Sequence, residues 1–74
     1  MITVYVIVSQ NRKYRYVGIT NDFRRRFQEH CRAKKVYSPF AVVLKEEFVD
    51  YEIARIREKF LKSGQGRKYL DTVA

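Results

Sequence analysis

From Ile2 to Val8 every side chain is β-branched or aromatic, which is the pattern of a β-strand. Ser9 to Lys13 is polar and contains the turn former Asn11, and Tyr14 to Ile19 returns to strand character, so the chain opens with a β-hairpin. Loop length decides which side chains share a face, because a slip of one residue turns a whole strand over. With Gln10 to Lys13 as an even loop, Ser9 pairs with Tyr14, Ile7 lies opposite Tyr16, and Tyr5 lies opposite Gly18. Tyr5 and Tyr16 then share one face as diagonal neighbours, and Gly18 leaves open space beside the Tyr5 ring. An odd loop without a bulge would separate the two tyrosines.

Thr20, Asn21 and Asp22 end the second strand, and each can N-cap a helix from about Phe23 to Ala33. At about 100° per residue, Phe23, Phe27, His30 and Cys31 form its inward stripe, with Arg26 on the border and Arg25 and Glu29 facing out. Tyr37, Ser38 and Pro39 break the chain. Phe40 to Leu44 starts a third strand that frays through Lys45, Glu46 and Glu47 and ends near Val49. Asp50 suits the N-cap of a second helix from about Tyr51 to Lys62, whose apolar face is Ile53, Ala54, Ile56, Phe60 and Leu61 with Glu58 at its edge. Gly64 is placed as the C′ residue that ends this helix, and the tail packs back through Tyr69 and Leu70. The expected fold is α+β, a three-stranded, mainly antiparallel sheet flanked by helices in the order β-β-α-β-α, forming a single domain over residues 1–74.

A chain of 74 residues has a small core and buries only about 60% of its unfolded surface. The longest apolar run, near Val4 to Val8, is far short of the roughly 20 residues that span a membrane, so no membrane partner is expected. The N-terminus has neither the basic region nor the small-residue cleavage site of a signal peptide. Cys31 and His30 are single copies, which excludes an internal disulfide and a Cys/His zinc cluster; a reduced, cytoplasmic setting without a disulfide partner is expected. Sixteen basic against eight acidic residues give a net charge of +8, suited to a polyanion such as nucleic acid. Half of that excess lies between Asp22 and Lys35, where six basic residues meet two acidic ones. Arg24, Arg25, Arg32, Lys34, Lys35, Arg67 and Lys68 are read as phosphate contacts, which give affinity without sequence choice.

Arg26 and His30, four residues apart, project from one helix face beside Phe23 and Phe27. Tyr5 in Val4-Tyr5-Val6, then Tyr16-Val17-Gly18, then Arg26, His30 and Glu58, in that order and spacing, resemble a GIY-YIG nuclease domain, and the stretch from Ala54 to Leu70 is similar to the ending of its small stand-alone bacterial subgroup. The resemblance implies an endonuclease that hydrolyses phosphodiester bonds in DNA, with branched, damaged or single-stranded forms as candidate substrates and one divalent ion, Mg²⁺ or alternatively Mn²⁺. It implies Tyr5 as general base with Tyr16 beside it, Arg26 on the scissile phosphate, His30 in proton transfer or tyrosine orientation, and Glu58 on the metal. The implied partner is nucleic acid, DNA in preference to RNA, bound by a monomer or weak dimer. Val4-Tyr5-Val6 departs from the Gly-Ile-Tyr of the family's first motif, and no asparagine follows the last helix. The residues also allow plainer readings: Tyr5 and Tyr16 as a cross-strand aromatic pair, His30 as a core histidine, Glu58 as the i,i+4 partner of Lys62, and Cys31 as a packing residue. The alternative function is a nucleic-acid-binding module that keeps the fold and basic face without turnover.

Overall fold

The computed structural model describes residues 1–10, 14–35 and 39–73. The elements run β1 (Ile2–Ser9), β2 (Arg15–Thr20), α1 (Phe23–Ala33), β3 (Phe40–Phe48), α2 (Tyr51–Lys62) and α3 (Gly64–Val73). All strand pairs are antiparallel, in the order β2-β1-β3. The first strand is therefore the central one. Both its faces are covered, which is why Thr3 to Ser9 are buried without a break.

The hairpin register is the one that an even loop requires. Tyr5 pairs with Gly18 and Ile7 with Tyr16, and the Ser9 amide donates to the Tyr14 carbonyl at 2.9 Å. The turn at Asn11 and the break at Tyr37 and Ser38 fall outside the described residues. On the other side of β1, the register with β3 shifts between Val6 and Ile7, whose partners are Leu44 and Val42. The extra residue, Val43, is a bulge that keeps the strand in the sheet. β3 does not fray at Lys45; it stays paired to Phe48, because β1 supplies ladder partners for Lys45, Glu46 and Glu47.

Alternation along β1 separates two layers. Val4 and Val6 point to a core shared with Ala54, Leu61 and Leu70 of α2 and α3. Tyr5 and Ile7 point to the opposite face, where α1 lays Phe23 against the Tyr5 ring. The helices start where side-chain oxygens satisfy their first amides: Asp22 accepts from Arg25 N at 3.2 Å, and Asp50 accepts from Glu52 N at 2.8 Å.

Two expectations for the C-terminal half are corrected. The tail packs back through Leu70 as expected, but it does so as a third helix from Gly64 to Val73, which the expected element order lacks. Ser63 ends α2 by donating to the Phe60 carbonyl at 2.6 Å and serves α3 by accepting from Gly66 N at 3.1 Å. Gly64 follows this cap without left-handed backbone geometry. The glycine with a steric task is Gly66, where a Cβ would run into the Phe60 carbonyl and the Leu61 backbone, so that its absence lets α3 close on α2.

The second correction is the face of α2. Ile53 and Ile56 are 54% and 69% exposed, whereas Ala54 and Leu61 are buried against the sheet. Small Ala54 allows close approach to the strands, and Arg57 fixes the rotation of the helix. Its guanidinium grips Glu46 of β3 through two hydrogen bonds of 2.7 and 3.1 Å and lies 5.3 Å from the ring centres of both Phe60 and Tyr69. Turning the two isoleucines inward would break that grip.

Candidate active site

Tyr5, Tyr16, Gly18, Arg26 and His30 come together on the face of the sheet covered by α1. Gly18 is the cradle. It pairs with Tyr5, and a Cβ there would lie 2.5 Å from Tyr5 Oη and 2.7 Å from Tyr16 Cε2, so the two rings occupy the space a side chain would fill. The Tyr5 and Tyr16 ring centres are 6.0 Å apart. Phe23 closes the far side of Tyr5 edge-on at 5.2 Å and stacks on Phe27, so the first turn of α1 walls in the tyrosine.

His30, one turn beyond Arg26, sits 4.5 Å from the Tyr16 ring centre, with Phe40 of β3 edge-on at 5.2 Å and Tyr14 at 5.7 Å. It is the buried residue of α1, and its Nε2 is without a hydrogen-bond partner. Burial first, then the charges of Arg26 and Lys34, holds the imidazole below its ordinary pKa. His30 is therefore neutral at pH 7, with one buried nitrogen open to a small polar group.

Tyr5 and Tyr16 differ in their surroundings. Tyr5 is 0% exposed, and its pKa is pushed up to about 12, chiefly by burial and then by Tyr16; Arg26 opposes the shift without overcoming it. Its hydroxyl is buried and meets no partner at hydrogen-bond geometry, although Arg26 and Tyr16 act on it electrostatically. Tyr16 is only partly buried. Arg26 is raised from its usual value first by its hydrogen bond to Tyr16 and then by the field of the two tyrosines, and its guanidinium also reaches Glu29 at 3.5 Å.

Glu58 belongs to the other layer. It lies on the sheet-facing side of α2 between Ala54 and Leu61, with its side chain 15% exposed and its Oε2 held by Lys62 Nζ at 3.2 Å. No described contact joins it to the tyrosine cluster. The two layers meet at the edge strand β2, where a cleft between β2 and helices α2 and α3 is lined by both Tyr16 and Lys62. Among the described residues, no three His, Cys, Asp or Glu side chains gather as a metal-ligand set.

The basic residues expected on phosphate are spread over the surface. Arg24, Arg25, Arg32, Lys34 and Lys35 are exposed along α1 and its end, with Arg25 tied to Asp22 and Glu29 at 3.5 and 3.2 Å. Arg67 and Lys68 are exposed on α3, and of the two only Arg67 lines the cleft. Residue patterns alone passed over three cations. Arg15 and Lys62 line the same cleft, and Lys45, the cross-strand partner of Tyr5, places Nζ 4.8 Å over the Phe23 ring. Lys45 could have been found from period-two alternation carried through β3, but Arg15 and Lys62 converge only through packing.

No helix among the described residues is long and apolar enough to cross a membrane. Comparison with curated proteins and with solved structures produced no match. A family model described as the GIY-YIG catalytic domain matches residues 1–70. With that match spanning nearly all of the chain, and with the α+β fold and tyrosine–arginine face built as above, the chain belongs to the GIY-YIG family of nuclease domains.

Proposed function

We propose that the chain is a metal-dependent endonuclease that hydrolyses phosphodiester bonds, in DNA rather than RNA, within the cytoplasm. The observation that carries this reading is the convergence of Arg26, Tyr16 and Tyr5 beside a neutral His30 on the face of the sheet that α1 packs against. Attack of water on a phosphodiester builds negative charge on the phosphate oxygens, and a fixed guanidinium compensates it without reorganising. Arg26 has that role. Its interaction with Tyr16 keeps the guanidinium beside the tyrosine that handles the water.

The burial contrast distributes the tyrosine roles. Tyr5, fully buried with a pKa pushed up to about 12, keeps its proton at neutral pH and forms the wall that fixes Tyr16 across Gly18. Tyr16, open to solvent on one side, is the group that handles the attacking water. His30 orients the Tyr16 ring, and its buried Nε2 can hold or pass a proton.

The residues fit a metal bound weakly by one carboxylate, and the described ones do not form an all-protein cage. Glu58 is the oxygen donor suited to a hard cation such as Mg²⁺ or Mn²⁺, whose remaining positions water and substrate phosphate fill. Such an ion supplies Lewis-acid charge stabilisation when bound. For Glu58 to serve it, Lys62 must leave the carboxylate it holds.

The test is cleavage of supercoiled plasmid and of a branched DNA with Mg²⁺ or Mn²⁺, paired with chelator and with Glu58→Gln. Metal-dependent cutting that disappears in both controls supports the assignment. Cutting that survives Glu58→Gln removes Glu58 from the metal. Binding without cutting converts the protein to a nucleic-acid-binding module.

A further inference from the structure

The cleft along the open edge of β2 has a volume of about 360 Å³ and brings Arg15 of β2, Lys62 of α2 and Arg67 of α3 together over the buried side chains of Leu61 and Leu70. Among the described residues, no acidic side chain lines it. Carboxylates hold two of the cations from outside the lining: Asp71 pairs with Arg15 at 3.0 Å, and Glu58 pairs with Lys62 at 3.2 Å. An apolar floor strengthens the attraction of such cations for an anion, because it keeps water from one side of the interaction. Tyr16 lines the cleft as well, so the cleft borders the tyrosine–arginine face at the edge strand of the sheet.

We propose that this cleft is a phosphate-binding subsite that takes the backbone of the nucleic-acid strand next to the bond being cut. The proposal rests on the nuclease reading for the direction of the strand, which passes Tyr16 and Arg26 and then turns the β2 edge. Three cations from three separate elements converge there, whereas the exposed arginines of α1 face outward along a single helix. Asp71 and Glu58 neutralise Arg15 and Lys62 in the absence of phosphate, and the incoming phosphate replaces these carboxylates. A cleft of this size and charge accepts one nucleotide's phosphate and sugar, and a flexible single strand can follow the turn around the edge.

The test is equilibrium binding of a fluorescent single strand of about a dozen nucleotides, in chelator and over a range of NaCl concentrations. The double variant Lys62→Met/Arg67→Gln is compared with Arg55→Gln/Lys59→Gln, which removes the same charge from the exposed side of α2. Thermal unfolding confirms that each variant folds, and the single variants Arg15→Gln and Arg67→Gln stand in if the double does not. The cleft variant is expected to bind roughly tenfold more weakly at low salt, and its salt slope should shrink by about 0.7 for each phosphate that is no longer neutralised, with the control changing little. Asp71→Asn, which releases Arg15, is expected to tighten binding. Equal weakening in both double variants overturns the subsite, since only net charge would then matter. An equal drop in affinity for a free mononucleotide overturns the strand path and leaves a free-phosphate site. Because no turnover is needed, absence of cutting with the cleft effect intact counts against the nuclease reading alone, and the reverse result counts against this subsite alone.

Discussion

Gly18→Ala tests whether the two tyrosines are held by an absent side chain. An added Cβ would lie 2.5 Å from Tyr5 Oη, 2.6 Å from Tyr5 Cζ and 2.7 Å from Tyr16 Cε2. Carbon atoms rest about 3.5–4.0 Å apart, so something must move by about 1 Å. Tyr5 has nowhere to go: it is 0% exposed, on the central strand, with Phe23 edge-on at 5.2 Å. Tyr16 can move only by shifting against His30, whose ring centre is 4.5 Å away. Overpacking of this kind costs about 1–3 kcal/mol, and the intrinsic preference of a strand for Ala over Gly returns roughly 0.5–1 kcal/mol. The net loss, up to about 2.5 kcal/mol and centred on about 1 kcal/mol, lowers Tm by roughly 4–8 °C per kcal/mol in a domain of this size, read by thermal unfolding and confirmed by the urea midpoint. Cutting should fall as well, because the displaced rings carry the site. Tyr5→Phe removes the atom of closest approach, so in the double variant the loss should be smaller than the sum of the two single effects by about 0.5 kcal/mol or more. A Gly18→Ala chain with unchanged or higher Tm and full activity would refute the cradle.

Tyr5→Phe alone keeps the ring that walls Tyr16 and deletes a hydroxyl that meets no partner at hydrogen-bond geometry, so stability should stay within about 1 kcal/mol of the parent and the proposed cutting should be largely retained; a clear drop in Tm would show that the hydroxyl is well bonded. His30 predicts a pH effect. Its folded pKa lies below the ordinary 6.5, so below that pH the unfolded chain binds more protons, and the stability contributed by neutral His30 is complete above about 6.5 and lost on acidification toward the folded value. Unfolding free energies measured from pH 7.5 to 5 should therefore fall with a slope that His30→Gln reduces, and an unchanged slope in the variant would contradict the buried neutral assignment.

The local elements were legible because each rests on near neighbours. The β-branched run of β1, the N-caps Asp22 and Asp50, and the spans of α1 and α2 follow from side chains within a few positions of one another. The hairpin register was legible only as a choice between an even and an odd loop, and the structure takes the even-loop register that sets Tyr5 opposite Gly18 and brings Tyr16 to the same face. The inward stripe of α1 placed Arg26 and His30 beside those tyrosines by helical spacing. The tyrosines, arginine and histidine of the candidate site thus all lie in one contiguous stretch, Tyr5 to His30, where local spacing governs which side chains can meet.

What remained depended on contacts between distant segments. Whether α2 turns Ile53 or Ala54 toward the sheet is decided by the grip of Arg57 on Glu46 and by the room that Ala54 leaves, and hydrophobicity favours the wrong side. The third helix was hidden because Gly64 read as a helix end, and Gly66, two residues on, permits close helix packing that no local pattern shows. The depth of Tyr5 follows from β1 being central, a matter of strand order rather than of any local pattern. Sequence by itself determined which residues could do the chemistry and, once the loop is even, which strand face they share, since alternation and helical pitch are properties of the backbone. Only the tertiary structure decided that Tyr5 is sealed while Tyr16 is only partly buried, that Glu58 stands in the opposite layer, and that three cations meet at the β2 edge, because burial and convergence arise when separate elements pack.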